Sequence, residues 1–121
     1  MSTLKVLVVD DEIEWVNTLA ERLELRDISA EVVTSGKEAL ILVKENHYDV
    51  VILDMVLQRV RGLDVLKEIK KSKPDLAVIL ISGRGSEQDF KECKDEGAFD
   101  YLIKPVQIEH LIEKMKQAAN C

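Results

Sequence analysis

Five short apolar runs, each separated from the next by a stretch with helical spacing, constrain this chain more than any other feature. The runs span residues 4–9, 30–34, 50–53, 76–81 and 99–103. Four of them are near-continuous and β-branched, the pattern of a strand buried on both faces. Between them the apolar positions recur at helical spacing: Ile13, Val16, Ala20 and Leu23 in the first stretch, Ala39, Leu40 and Val43 in the second, Leu63, Leu66 and Ile69 in the third. Ile108, Leu111, Ile112 and Met115 form the last stripe. The fourth stretch, residues 87–96, has only Phe90 and Cys93 to anchor it, so the least firmly packed helix is expected there. Strict alternation predicts an α/β fold: a doubly wound parallel sheet of five strands, with right-handed crossovers and five helices on its two faces.

The chain has 121 residues, the size of one domain, and residues 1–121 are read as a single unit. Apolar residues make up 46% of it, enough to fill one core. No apolar stretch approaches the roughly 20 residues needed to span a bilayer. The N-terminal run meets Asp10 too early for a signal peptide, so a cytoplasmic location is expected. Cys93 and Cys121 are too few and too far apart for a disulfide framework or a structural zinc site. A net charge of −6 disfavours direct nucleic-acid binding. Lys70, Lys71 and Lys73 read as a solvated helix end.

In parallel α/β sheets, ligands bind beyond the carboxyl ends of the strands. Here the first run ends in Asp10-Asp11-Glu12, the third in Asp54, the fourth in Ser82-Gly83 and the fifth in Lys104-Pro105. Clustered carboxylates repel and need positive charge nearby. Lys104 supplies one charge, and an oxygen-rich site of this kind suits Mg²⁺. A carboxylate beside that ion and a lysine is placed to act as a nucleophile toward a phosphoryl group, with both cations stabilising the transferring oxygens. Ser82 would donate a hydrogen bond to the group, and Gly83 would leave room for it. Taken singly, each residue also fits a helix cap, a loop acid, a solvated lysine or a turn; the argument lies in their joint placement.

Val8-Val9-Asp10-Asp11-Glu12, Asp54-Met55, Gly62-Leu63-Asp64-Val65-Leu66, Ser82-Gly83 and Gly97-Ala98-Phe99-Asp100-Tyr101-Leu102-Ile103-Lys104-Pro105 together resemble the receiver domains of two-component response regulators. The resemblance covers essentially the whole chain. It implies the flavodoxin-like strand order 2-1-3-4-5 and transfer of a phosphoryl group to Asp54 from the phosphohistidine of a sensor histidine kinase or a histidine phosphotransfer protein. It further implies Mg²⁺ ligation by Asp11, Asp54 and the Val56 carbonyl, with Asp10 acting through water. Lys104 and Ser82 would contact the acyl phosphate, Tyr101 would swing inward, and the Lys104–Pro105 bond would be cis. The face made by the fourth helix, fifth strand and fifth helix would then be remodelled to control a downstream protein or output domain, with a homodimer through that face as one outcome.

The chain departs from the family after the acceptor, where Val56-Leu57-Gln58-Arg59-Val60-Arg61 replaces the usual proline and glycine, and exposure of Leu57 and Val60 is expected. Val56 and Arg84 occupy positions where family variation tunes acyl-phosphate lifetime. Trp15 reads as a helix-flank residue partly facing solvent, His47 and His110 as surface residues, and Ile41 and Leu42 as an unusually apolar part of the second helix. The domain reads either as a stand-alone regulator or as the regulatory half of a longer protein. Three enzyme or carrier readings fit less well. An Asp-x-Asp phosphatase motif and a P-loop are lacking, and carboxylates stand where a flavin carrier needs a phosphate-cradling loop. A pseudo-receiver is disfavoured because the acceptor, acidic pair, Ser82 and Lys104 are all present.

Overall fold

The computed structural model describes residues 4–57, 60–83 and 87–120. Five strands, β1 (Lys5–Val9), β2 (Ser29–Val33), β3 (Val50–Asp54), β4 (Ala77–Ser82) and β5 (Asp100–Ile103), form one parallel sheet in the order β2-β1-β3-β4-β5. Each lies within one residue of the bounds expected from its apolar run. Helices α1 (Ile13–Glu24), α2 (Gly36–Glu45), α3 (Gly62–Ser72), α4 (Glu87–Asp95) and α5 (Ile108–Ala119) connect and follow them. A two-rung antiparallel hairpin, Val56–Leu57 with Val60–Arg61, lies between β3 and α3.

The period-2 alternation of strand side chains divides the core in two. Val6, Val8, Ile52, Ile79 and Ile81 point to one face, where Val16, Leu19 and Leu23 of α1 meet Leu111 and Met115 of α5. Leu7, Val9, Val51, Leu53 and Leu80 point to the other, against Ala39 and Val43 of α2, Leu63, Leu66 and Ile69 of α3 and Cys93 of α4. A fully buried leucine or isoleucine contributes about 1.5–3 kcal/mol. With both faces covered, β1, β3 and β4 have no solvent side, which is why their sequences do not alternate with polar residues.

Three expectations need correction. Ile13 does not join the α1 stripe: it is the first residue of the helix, beyond the core, and is 60% exposed while Leu19 takes its place inside. Leu57 is buried, because the hairpin turns it toward the core cluster on the α2 and α3 side. Val60 is exposed, as are His47 and His110. Ile41 is half-exposed on α2. Cys93 is the one buried residue described in α4, with Phe90 lying partly exposed against Tyr101 at 6.0 Å between ring centroids. Lys70 departs from the solvated-end reading: its Nζ donates to the carbonyls of Leu76 (2.6 Å) and Pro74 (3.2 Å), closing the turn after α3. Gly97, at φ +99°, occupies the left-handed region that favours glycine, and the Lys70 stem lies 3.3–3.6 Å from where a Cβ would stand.

Candidate functional site

Parallel register carries the chemistry-bearing residues to one edge of the sheet. Val9 pairs with Leu53, Asp54 with Ile81, and Ser82 with Ile103, so Asp10, Asp54, Ser82 and Lys104 all emerge at the carboxyl end. The edge is pinned by backbone bonds from Asp10 N–H to Val33 (3.2 Å), Met55 N–H to Ile81 (2.9 Å) and Lys104 N–H to Ser82 (2.7 Å). The Lys104–Pro105 peptide is cis.

Lys104 is the centre of the arrangement. Its ammonium lies 3.0 Å from Glu12 Oε1, 3.2 Å from Asp10 Oδ2 and 3.3 Å from Asp54 Oδ2. These charges raise the Lys104 pKa above the ordinary lysine range even though burial alone acts to lower it. Asp54 is 5% exposed, and its second oxygen accepts the Val56 N–H at 3.0 Å. Asp10 is 1% exposed, and its Oδ1 accepts the Glu12 N–H at 2.9 Å. Burial pushes the Asp10 carboxyl up to about 6, and the Asp54 charge pushes the same way; the Glu12 amide and Lys104 oppose them.

Oxygens of Asp10, Glu12 and Asp54 lie within 4.8 Å of one another, a group able to hold a metal ion. Three carboxylates against one ammonium leave two negative charges when all are ionised, so the donor set and the residual charge both fit a hard divalent cation. Glu12, and not Asp11, is the third member of this cluster. Asp11 is half-buried at the mouth of the adjoining cleft, which Glu12, Ile13 and Trp15 also line. Val56 is 72% exposed directly after Met55, on the hairpin strand.

Ser82 is buried at the end of β4, and its side chain is hydrogen-bonded to Tyr101, itself buried on β5. Burial raises the Tyr101 pKa, and the Ser82 bond opposes the rise. A Cβ on Gly83 would meet nothing within 4 Å, whereas one on Gly62 would stand 2.3 Å from the Asp54 carbonyl oxygen. Arg84 lies outside the described residues. The sequence places Glu12 in the acidic motif and Trp15 on the flank of the first helix, but gives no sign that both contact Lys104. Glu12 is an exposed residue whose reach to Lys104 depends on the turn into α1, and Trp15 lies with its ring centroid 4.5 Å from Lys104 Nζ. Among the described residues, no helix is long and apolar enough to cross a membrane.

The family model described as "Response regulator receiver domain" matches residues 6–116. A response regulator, MprA, from Mycobacterium sp. (strain KMS) is 34% identical over 113 residues, 93% of this chain and 49% of its own length. The chain thus spans about half the length of the curated relatives it matches. Among solved structures, a response regulator receiver domain protein from Clostridium thermocellum is 37% identical at a TM-score of 0.91, covering 97% of this chain and 94% of its own. A Burkholderia pseudomallei response regulator, solved with a phosphorylated aspartic acid, calcium ion and citrate, is 26% identical at a TM-score of 0.89 and covers 97% of this chain and 69% of its own.

Proposed function

Since the chain belongs to the response regulator receiver domain family, a regulatory rather than a catalytic module, we propose that it is a phospho-acceptor switch with Asp54 as the acceptor. The observation that carries this reading is the placement of Asp54: buried, at a strand end, with Lys104 shared between it and two further carboxylates. In the proposed transfer, an Asp54 carboxylate oxygen forms a bond to phosphorus as the N–P bond of a phosphohistidine breaks. The bonding pair stays on the imidazole nitrogen, which takes a proton from solvent, and an acyl phosphate remains on Asp54. Lys104 offsets charge on the phosphoryl oxygens, and Ser82 donates a hydrogen bond to them.

Asp10, Asp11, Asp54 and the Val56 carbonyl would hold Mg²⁺, with Glu12 available as a further oxygen donor. Bound there, Mg²⁺ would supply the positive charge that the carboxylates and the incoming phosphoryl group lack. The phosphorylated aspartic acid and calcium ion of the Burkholderia protein support both parts of this reading. Coupling of Ser82 to Tyr101 would carry the change to the face formed by α4, β5 and α5, where a downstream protein, an output domain or a second copy would bind. The donor would be a sensor histidine kinase or a histidine phosphotransfer protein in the cytoplasm, without direct nucleic-acid contact by this domain. Val56 and Arg84 would tune acyl-phosphate lifetime, and a decay rate unchanged in Arg84→Ala would count against that part.

Phosphoramidate, which carries the N–P bond in small-molecule form, tests the transfer. With Mg²⁺ the chain should acquire a phosphoryl group that hydroxylamine removes, and Asp54→Asn should not. A hydroxylamine-stable adduct would place the phosphoryl group elsewhere.

A further inference from the structure

Lys104 has a contact that is not with a carboxylate: its Nζ stands 4.5 Å from the centroid of the Trp15 ring. Trp15 is half-buried on α1 and packs against the core cluster on the α1 and α5 side, so its ring is held and not free to follow solvent. An indole face attracts an ammonium through its quadrupole, more strongly than phenyl does. That attraction is independent of whether the neighbouring carboxylates are protonated or engaged by another cation. Asp10, Glu12 and Asp54 hold Lys104 too, but they are the same oxygens that can hold a metal ion. Once they are so engaged, carboxylate contacts alone would leave a lysine side chain free to swing to solvent.

We propose that Trp15 is a positioning residue for Lys104, its ring face keeping the ammonium beside Asp54 when the acidic cluster is occupied. The inference rests on the phospho-acceptor reading of Asp54 and deepens it. It assigns to α1 a part in transfer that neither the acidic motif nor the lysine accounts for.

Chains of these 121 residues carrying Trp15→Phe and Trp15→Leu test it with phosphoramidate at saturating Mg²⁺. Trp15→Leu should accept the phosphoryl group about three- to tenfold more slowly, the loss of a cation–π contact, with Trp15→Phe nearer the parent. Mg²⁺ affinity, measured calorimetrically, should stay within about twofold in both, since the indole face is not an oxygen donor. Equal rates in Trp15→Leu and the parent would overturn the proposal, as would a Trp15→Phe chain as slow as Trp15→Leu. Trp15 is the only tryptophan, so its emission provides a second arm that needs no phosphoryl donor. Lys104→Met should change the emission, and an unchanged spectrum would overturn the contact. A parent chain that takes no phosphoryl group would instead sink the acceptor reading, while the emission comparison would still decide whether the ring holds the lysine.

Discussion

The Sγ of Cys93 lies 3.6 Å from the Sδ of Met55, joining α4 to the residue that follows Asp54. Cys93 is fully buried, and burial, with the Asp89 and Glu92 charges adding to it, pushes its thiol up to about 11. It is therefore a packing group and an unreactive one. Cys93→Ser places a more polar hydroxyl against a weak acceptor and should cost about 1–3 kcal/mol in urea denaturation, with Cys93→Ala costing less. Because Cys93 is the buried anchor described in α4, the loss should appear first as faster amide exchange in that helix. Equal exchange in α3 and α4 of the variant would contradict this.

Gly62 is required by close backbone approach. Its N–H donates to the Met55 carbonyl at 2.7 Å, and an added Cβ would meet the Asp54 carbonyl oxygen at 2.3 Å and the Met55 Cα at 2.7 Å. Backbone atoms cannot yield as a flexible side chain does. Gly62→Ala should therefore destabilise by about 3 kcal/mol. Gly83→Ala, which meets nothing, should stay within about 0.5 kcal/mol of the parent. Thermal melting of the two variants side by side checks the contrast.

Asp10 makes stability depend on pH in a defined direction. Its folded carboxyl titrates near 6, above the ordinary 3.8, so the folded chain holds this proton more tightly than the unfolded chain does. Without Mg²⁺, this group should add stability as pH falls from about 6 toward 4 and withdraw it as pH rises through the same window. Asp10→Asn should accordingly be more stable than the parent at about pH 7, by up to about 3 kcal/mol, and lose that advantage near pH 4. Urea midpoints in the presence of a chelator measure it. An advantage that grows toward low pH would reverse the assignment.

Removing Lys104 should separate two properties that a general loss of structure would move together. Its ammonium sits among the oxygens of Asp10, Glu12 and Asp54 that can hold a metal ion. Lys104→Met deletes a competing charge, so Mg²⁺ should bind several-fold more tightly while phosphoryl acceptance slows. Calorimetry and acceptance rates on one preparation test the opposed signs; weaker Mg²⁺ binding would show that the lysine does not compete.

Much of this architecture was legible because a strand buried on both faces leaves an unbroken apolar run, as in Val50–Asp54 and Ala77–Ser82. The polar residues that end those runs were legible for the same reason, since the core stops where they begin. Less legible were features set by tertiary approach. Ile13 fits the helical period but lies past the end of the core, and Leu57 is buried by a hairpin only two rungs long. Glu12 and Trp15 reach Lys104 across about ninety residues of sequence. Gly62 stands in the Gly62–Leu66 motif, but the backbone carbonyl that demands a glycine there is brought up by tertiary approach and has no mark in the sequence.

The most direct test of the central claim is the intact mass of the chain after incubation with acetyl phosphate, with and without Mg²⁺, for the parent and Asp54→Asn. The account predicts one added phosphoryl group on the parent with Mg²⁺, little without it, and none on Asp54→Asn. An adduct that persists in Asp54→Asn, or no adduct on the parent even when decay is slowed by cold, would contradict it.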